Sequence, residues 1–172
     1  HCSVRRQRQM CIRDSLWLYL FSKFNSIMSA ISNVDEYKEV IKKIENNFFK
    51  SLYILNSEEI FFLNDFTEKI KKIIPEDLKD LNQYVFYGNE IEADDILLFA
   101  KKFPMMGNKQ LIIVKNGNKI LKKIDKIISQ KQSIPESTVL VICLDGVKID
   151  AKMKDLKINE EYGAIYDFKK IY

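Results

Sequence analysis

The chain has 172 residues, is 47% hydrophobic and 30% charged, and carries a formal net charge of +4. That length suffices for one domain with a real core, and the balance of apolar and charged residues excludes a disordered chain. No apolar run approaches the ~20 residues of a membrane-spanning helix, and the single histidine, His1, leaves nothing for histidine catalysis or a histidine-ligated metal.

The charge is unevenly spread. Arg5, Arg6, Arg8 and Arg13 are the only arginines, and without residues 1–15 the net charge falls to +1. So small an excess weakens any whole-domain electrostatic case for nucleic acid. The head, "HCSVRRQRQMCIRDS", resembles a translated adaptor read-through and is set aside from the fold. Residues 16–27 read as upstream leader, with Met28 the expected start and 28–172 the domain. A signal peptide is the rival reading, but its apolar core is short, Lys23 breaks it, and no clear cleavage site follows. Cys2, Cys11 and Cys143 give neither a disulfide framework nor metal spacing, which points to the reducing cytoplasm.

From Ser32 the pattern is regular. Val34, Tyr37, Ile41, Ile44 and Phe48 recur at helical spacing behind a polar cap. "SLYILN" (51–56) is a short apolar strand, and 57–74 is a helix capped by Ser57. Pro75 opens a helical turn before the second strand, 83–88. Residues 92–103 form a helix with acids in its first turn and lysines in its last, as the helix dipole favours. Strand 110–116 and helix 118–130 follow. Then come strand 137–144, a lysine-rich, weakly helical segment over 147–161, and strand 163–168. The central strands are apolar at every position, as in a parallel sheet covered on both faces. The expected fold is α/β: a five-stranded, mostly parallel sheet with flanking helices, an AAA+/RecA-like core lacking a nucleotide-binding P-loop.

Such a core binds nucleotide after its first strand through G-x-x-x-x-G-K-[ST]. Here that position reads "ILNSEEIFF", without glycine or lysine, and Glu58 and Glu59 would repel phosphate. The third strand ends in Lys115-Asn116 rather than an acid for magnesium, and the domain has no arginine finger. No ATPase activity, cofactor or metal is expected. Asp94 and Asp95 are adjacent at a helix start, so they face different directions and read as dipole-complementing acids. Asp145-Gly146 lies after the fourth strand, where α/β enzymes place sites, but it has no identifiable partner and reads as a turn. A small enzyme using the Asp145 loop, or a nucleic-acid-binding domain using the lysines of 119–126 and 148–157, are the alternative functions.

One connection departs from the polar norm. In "KKFPMMGNKQLIIVKN" a helix ends at Phe103-Pro104, and two methionines precede the Gly-Asn turn. Proline biases Phe103 to extended geometry and stops the helix, so Met105 and Met106 leave it before the strand begins. They either close the domain's own core or serve a partner, for which flexible, polarisable methionine is suited.

The segments "SLYILNSEEIFFLNDFTEKIKKIIP", "VFYGNEIEADDILLFAKKFPMMGNKQLIIVKN" and "PESTVLVICLDGVKID" together resemble the delta subunit of the bacterial DNA polymerase III clamp loader, over about residues 29–172. The resemblance implies an AAA+-like first domain without ATPase motifs, with lid and collar domains lying outside this chain. It implies no enzyme activity in this subunit, although the family is a component of a DNA-directed DNA polymerase, a nucleotidyltransferase. It implies that the domain binds the sliding clamp (the beta subunit) and helps open it in DNA replication. Phe103, Pro104, Met105 and Met106 would be the contact, with Lys101, Lys102 and Lys109 steering towards an acidic rim. The other loader subunits would dock mainly through the absent C-terminal domain, and DNA would be met through the complex. Asn56-Ser57 departs from the family's usual glycine after the first strand.

Overall fold

The computed structural model describes residues 34–148 and 162–168. A helix over 34–45 (α1) precedes β1 (Leu52–Ser57) and α2 (Ile60–Ile70). A short α3 (Lys79–Asn82) leads directly into β2 (Gln83–Tyr87), which is followed by α4 (Ala93–Ala100) and β3 (Gln110–Lys115). Then come α5 (Ile124–Ser129), β4 (Thr138–Asp145) and β5 (Gly163–Phe168).

The strands form one sheet in the order β2-β3-β4-β1-β5, parallel at every pairing. From β1 the chain crosses β4 and β3 to reach the far edge, returns through β3 and β4, and then passes β1 to place β5 at the other edge. A right-handed crossover places its helix on the face set by its direction of travel, so the reversal puts α4 and α5 on the face opposite α2. The side chains divide accordingly. Tyr53, Leu55, Leu111, Ile113, Val139 and Val141 pack with α1 and α2. Leu52, Ile54, Ile112, Val114, Leu140 and Ile142 pack with α4 and α5. Burial on both faces explains why β1, β3 and β4 are continuous apolar runs, whereas the edge strand β2 is only half-buried.

The architecture agrees with the expected sheet, and local departures have identifiable causes. Phe48, expected on the buried stripe of α1, is 74% exposed. The turn after α1 carries Asn47 at φ +62°, with the Phe48 N–H bonded to the Lys43 carbonyl at 2.9 Å, and this left-handed turn swings Phe48 outward. Ser57 belongs to β1, and its Oγ accepts from the Glu59 N–H at 3.0 Å, so it supports the start of α2 from outside the helix. The helix expected over 118–130 begins as a 3₁₀ segment, Gly117–Lys123. Buried Gly117 and Ile120 are three apart, which suits three residues per turn; the later buried isoleucines, 124, 127 and 128, follow the α period. The helix expected over 92–103 ends at Ala100, so Lys101 caps it and Lys102 lies beyond. The weakly helical segment over 147–161 and the leader, 1–27, fall almost wholly outside the described residues.

Candidate functional site: the connection before the third strand

Parallel pairing brings the connection beneath the start of β2. Gln83 pairs with Leu111, so the residue before Gln83 faces the chain that enters β3. That residue is Asn82, 1% exposed at the end of α3. Its Nδ2 donates to the Met105 carbonyl at 2.7 Å and reaches the Met106 carbonyl at 3.4 Å, while the Met105 N–H donates to Asn82 Oδ1 at 2.7 Å. One buried amide thus uses its donor and acceptor faces together on an irregular backbone that has no ladder partner.

Other buried groups secure the ends. Gln110 Nε2 donates to the Phe99 carbonyl at 3.1 Å, and Thr138 Oγ1 donates to the Lys102 carbonyl at 3.5 Å. The second gives a donor to a carbonyl past the helix end, and the first adds one to a carbonyl that already accepts from the Lys102 N–H at 3.1 Å. Gly107 (φ +153°) packs so closely that a Cβ there would lie 3.1 Å from Leu78 Cδ1 and 3.3 Å from Asn82 Nδ2.

With the backbone held from inside, the apolar side chains point out. Phe103 is 75% exposed, Met105 61% and Met106 78%, with Pro104 half-buried between them. Three large apolar side chains within four residues are presented to solvent together, instead of closing the core. Met106 has φ +52°. An L-residue in that left-handed region costs about 1–2 kcal/mol, and glycine would avoid most of this. A long apolar side chain at that backbone position therefore costs local stability.

Lys101, Lys102 and Lys109 flank the element. Lys101 Nζ donates to Gln130 Oε1 at 2.8 Å, Lys102 Nζ lies 4.4 Å from the Phe99 ring centroid, and Lys109 Nζ donates to the Glu136 carbonyl at 3.0 Å. Each of these partners is neutral, and among the described residues none of the three lysines is paired with an acid. Asn82, which organises the connection, was missed at the level of sequence. Nothing in "KDLNQYV" marks it, and only strand register joins it to a loop 23 residues on.

The opposite edge of the sheet, where the crossovers diverge between β1 and β4, is where open α/β sheets place ligands. Here protein groups bridge it. Asn56, buried, donates from Nδ2 to the Val147 carbonyl at 2.8 Å and to Asp167 Oδ1 at 2.7 Å, and accepts from the Val147 N–H at 3.1 Å. The Gly146 N–H reaches the Ser57 carbonyl at 3.0 Å. Asn118 pairs with the Asp145 backbone, accepting from its N–H at 3.0 Å and donating to its carbonyl at 3.3 Å. The Asp145 loop is a bonded turn. A cavity of about 140 Å³ on this edge is lined by Gly88, Ile91, Glu92, Lys119 and Lys123, not by Asp145.

The two helix-start acids have structural partners. Asp95 Oδ2 accepts from the Glu92 N–H at 3.4 Å, and Asp94 pairs with Lys126, which holds its carboxyl below the usual carboxylate range. Lys123 pairs with Glu92. Two lysines of 119–126 are thus neutralised by α4 acids, against a dedicated phosphate-binding face. Among the described residues, no group of His, Cys, Asp and Glu could hold a metal, and no helix is long and apolar enough to cross a membrane.

The parallel sheet with both faces covered, its C-terminal edge bridged by side chains and an exposed apolar element at the other edge define an α/β module. The model of the family "DNA polymerase III, delta subunit" matches residues 53–162, and the chain belongs to that family. It is 27% identical over 143 residues to the DNA polymerase III subunit delta of Bacillus subtilis, covering 77% of this chain and 41% of that protein. The solved Bacillus subtilis DNA clamp loader delta protein has the same fold, with a TM-score of 0.66 at 23% identity over 78% of this chain and 42% of that one. The chain therefore spans less than half the length of these relatives.

Proposed function

We propose that this chain is the sliding-clamp-binding module of a clamp-loader delta subunit, acting in the cytoplasm during DNA replication. Phe103, Met105 and Met106 enter an apolar pocket on the clamp, and Pro104 fixes the path between them. The observation that carries this reading is their joint exposure on a connection whose backbone is fastened from within. Burying such side chains yields roughly 1.5–3 kcal/mol each. The loss of translational and rotational freedom offsets much of it, leaving the moderate, reversible affinity that a loader needs to release its clamp. Lys101, Lys102 and Lys109 raise the encounter rate with an acidic rim without supplying much affinity. The other loader subunits and DNA are met mainly through the part of the protein beyond this chain.

The test is a titration of the chain with the cognate sliding clamp. Changing Phe103, Met105 and Met106 together to alanine is expected to abolish measurable binding while leaving the thermal unfolding midpoint nearly unchanged. Undiminished binding by that variant would rule out the site.

A further inference from the structure

We infer that Asn82 is a positioning residue for the partner-binding element: it holds residues 103–107 in their binding shape before any partner arrives. The inference rests on the reading of that element as the clamp contact. Three observations carry it. Asn82 is buried, so it does not itself reach a partner. It makes two 2.7 Å hydrogen bonds to Met105, one in each direction, and a longer one to the Met106 carbonyl. The segment it holds includes the left-handed Met106 and Gly107, a conformation that a free chain seldom visits.

The physical consequence is a population. Without the amide, Met105 loses the acceptor for its N–H and the donor to its carbonyl, and Met106 is free to leave the left-handed region. The binding-competent fraction of the loop then falls, and the apparent dissociation constant rises by the same factor. Because fewer encounters find the loop ready, the loss appears mainly in the association rate, while a complex once formed dissociates much as before. Truncating Phe103 or a methionine has the opposite signature, since it removes contacts made in the complex and raises the dissociation rate.

The experiment compares the unaltered chain, Asn82→Ala and the Phe103/Met105/Met106 triple-alanine variant by binding kinetics on the immobilised cognate sliding clamp. Amide hydrogen exchange is measured on the free proteins. Asn82→Ala is expected to weaken binding about tenfold, equivalent to 1.4 kcal/mol, with most of the change in association. Its Met105 amide should lose protection while Leu111 and Val141 keep theirs. Unchanged kinetics in Asn82→Ala, with the triple variant inactive, would overturn the role of Asn82 and leave the site standing. Full binding by the triple variant would overturn both. Protection lost evenly across the sheet would reduce Asn82 to a general stability role and also overturn the inference. Should Asn82→Ala fail to fold, the unaltered chain still decides: rapid exchange at Met105 beside a protected Leu111 would show that the loop is not held.

Discussion

The amide of Asn56 on β1 donates to the carboxylate of Asp167 on β5 at 2.7 Å, joining neighbouring strands at the edge where a related core would bind nucleotide. The same side chain pairs with both backbone groups of Val147. Asn56→Ala leaves these half-buried partners unpaired, and the expected loss of stability is about 1–3 kcal/mol, the upper part for the charged Asp167. Asn56→Asp sets two carboxylates together and should cost more at pH 7, with part of the loss recovered as the pH falls and one of them protonates. Urea unfolding at pH 7 and pH 4 measures both. Two variants as stable as the parent would mean that Asn56 does not bridge the edge.

Met106 separates stability from binding. Its φ of +52° is one that glycine adopts without cost. Met106→Gly should raise the unfolding free energy by about 0.5–1 kcal/mol and weaken clamp binding, because an exposed apolar contact is lost. Denaturant midpoints and a clamp titration on the same sample give the two signs. A Met106→Gly variant that is both less stable and fully active would refute the geometry and the role together.

Asp65 should mark the acid limb of stability. Lys69, bonded to it at 2.7 Å, and then the Tyr37 hydroxyl hold its carboxyl below the ordinary carboxylate range. Burial first, and then Asp65, push the Tyr37 hydroxyl well above its ordinary value. The lowered Asp65 contributes stability in full above the unfolded value of about 4, and that contribution disappears as the pH falls through the folded value. The stability difference between the parent and Asp65→Asn should therefore be roughly 0.5–1.5 kcal/mol at pH 6 and shrink below about pH 4. Urea midpoints across pH 2–7 measure it, and a difference that stays constant down to pH 2 would contradict the assignment.

Cys143 lies buried in β4, where burial pushes its thiol up to about 12. Burial thus leaves very little of the thiolate that alkylating reagents attack at pH 8. Iodoacetamide at that pH should leave Cys143 unmodified in the folded chain and modify it in guanidinium chloride, as peptide masses would report. Ready modification of a chain that keeps its native circular dichroism would show that β4 is not enclosed.

The fold was legible in the sequence because β1, β3 and β4 are apolar on both faces, a pattern that few other structures produce. The exposed apolar element was legible as a departure because Pro104 keeps Met105 and Met106 out of α4 on local grounds. Sequence left open whether those side chains turn inward or outward, since that depends on a residue at the end of α3. Asn82 belongs to that second kind of information. Phe48 was missed for a local reason: its place on a helical stripe was sound until the left-handed Asn47 ended the helix one turn early. Local chemistry was readable one residue at a time; the remainder required strand register.

The parallel arrangement has a mechanical consequence. With every strand pointing the same way, β3 stands as a strut of about 20 Å between the connection at residues 101–109 and the turn at Asn116-Gly117. Its residues from Leu111 to Val114 are completely enclosed, and a close-packed interior resists compression. A load applied to the methionine loop is carried along the strut into the sheet instead of being absorbed by bending near the contact. Whatever displaces that loop meets a lever with a stiff shaft.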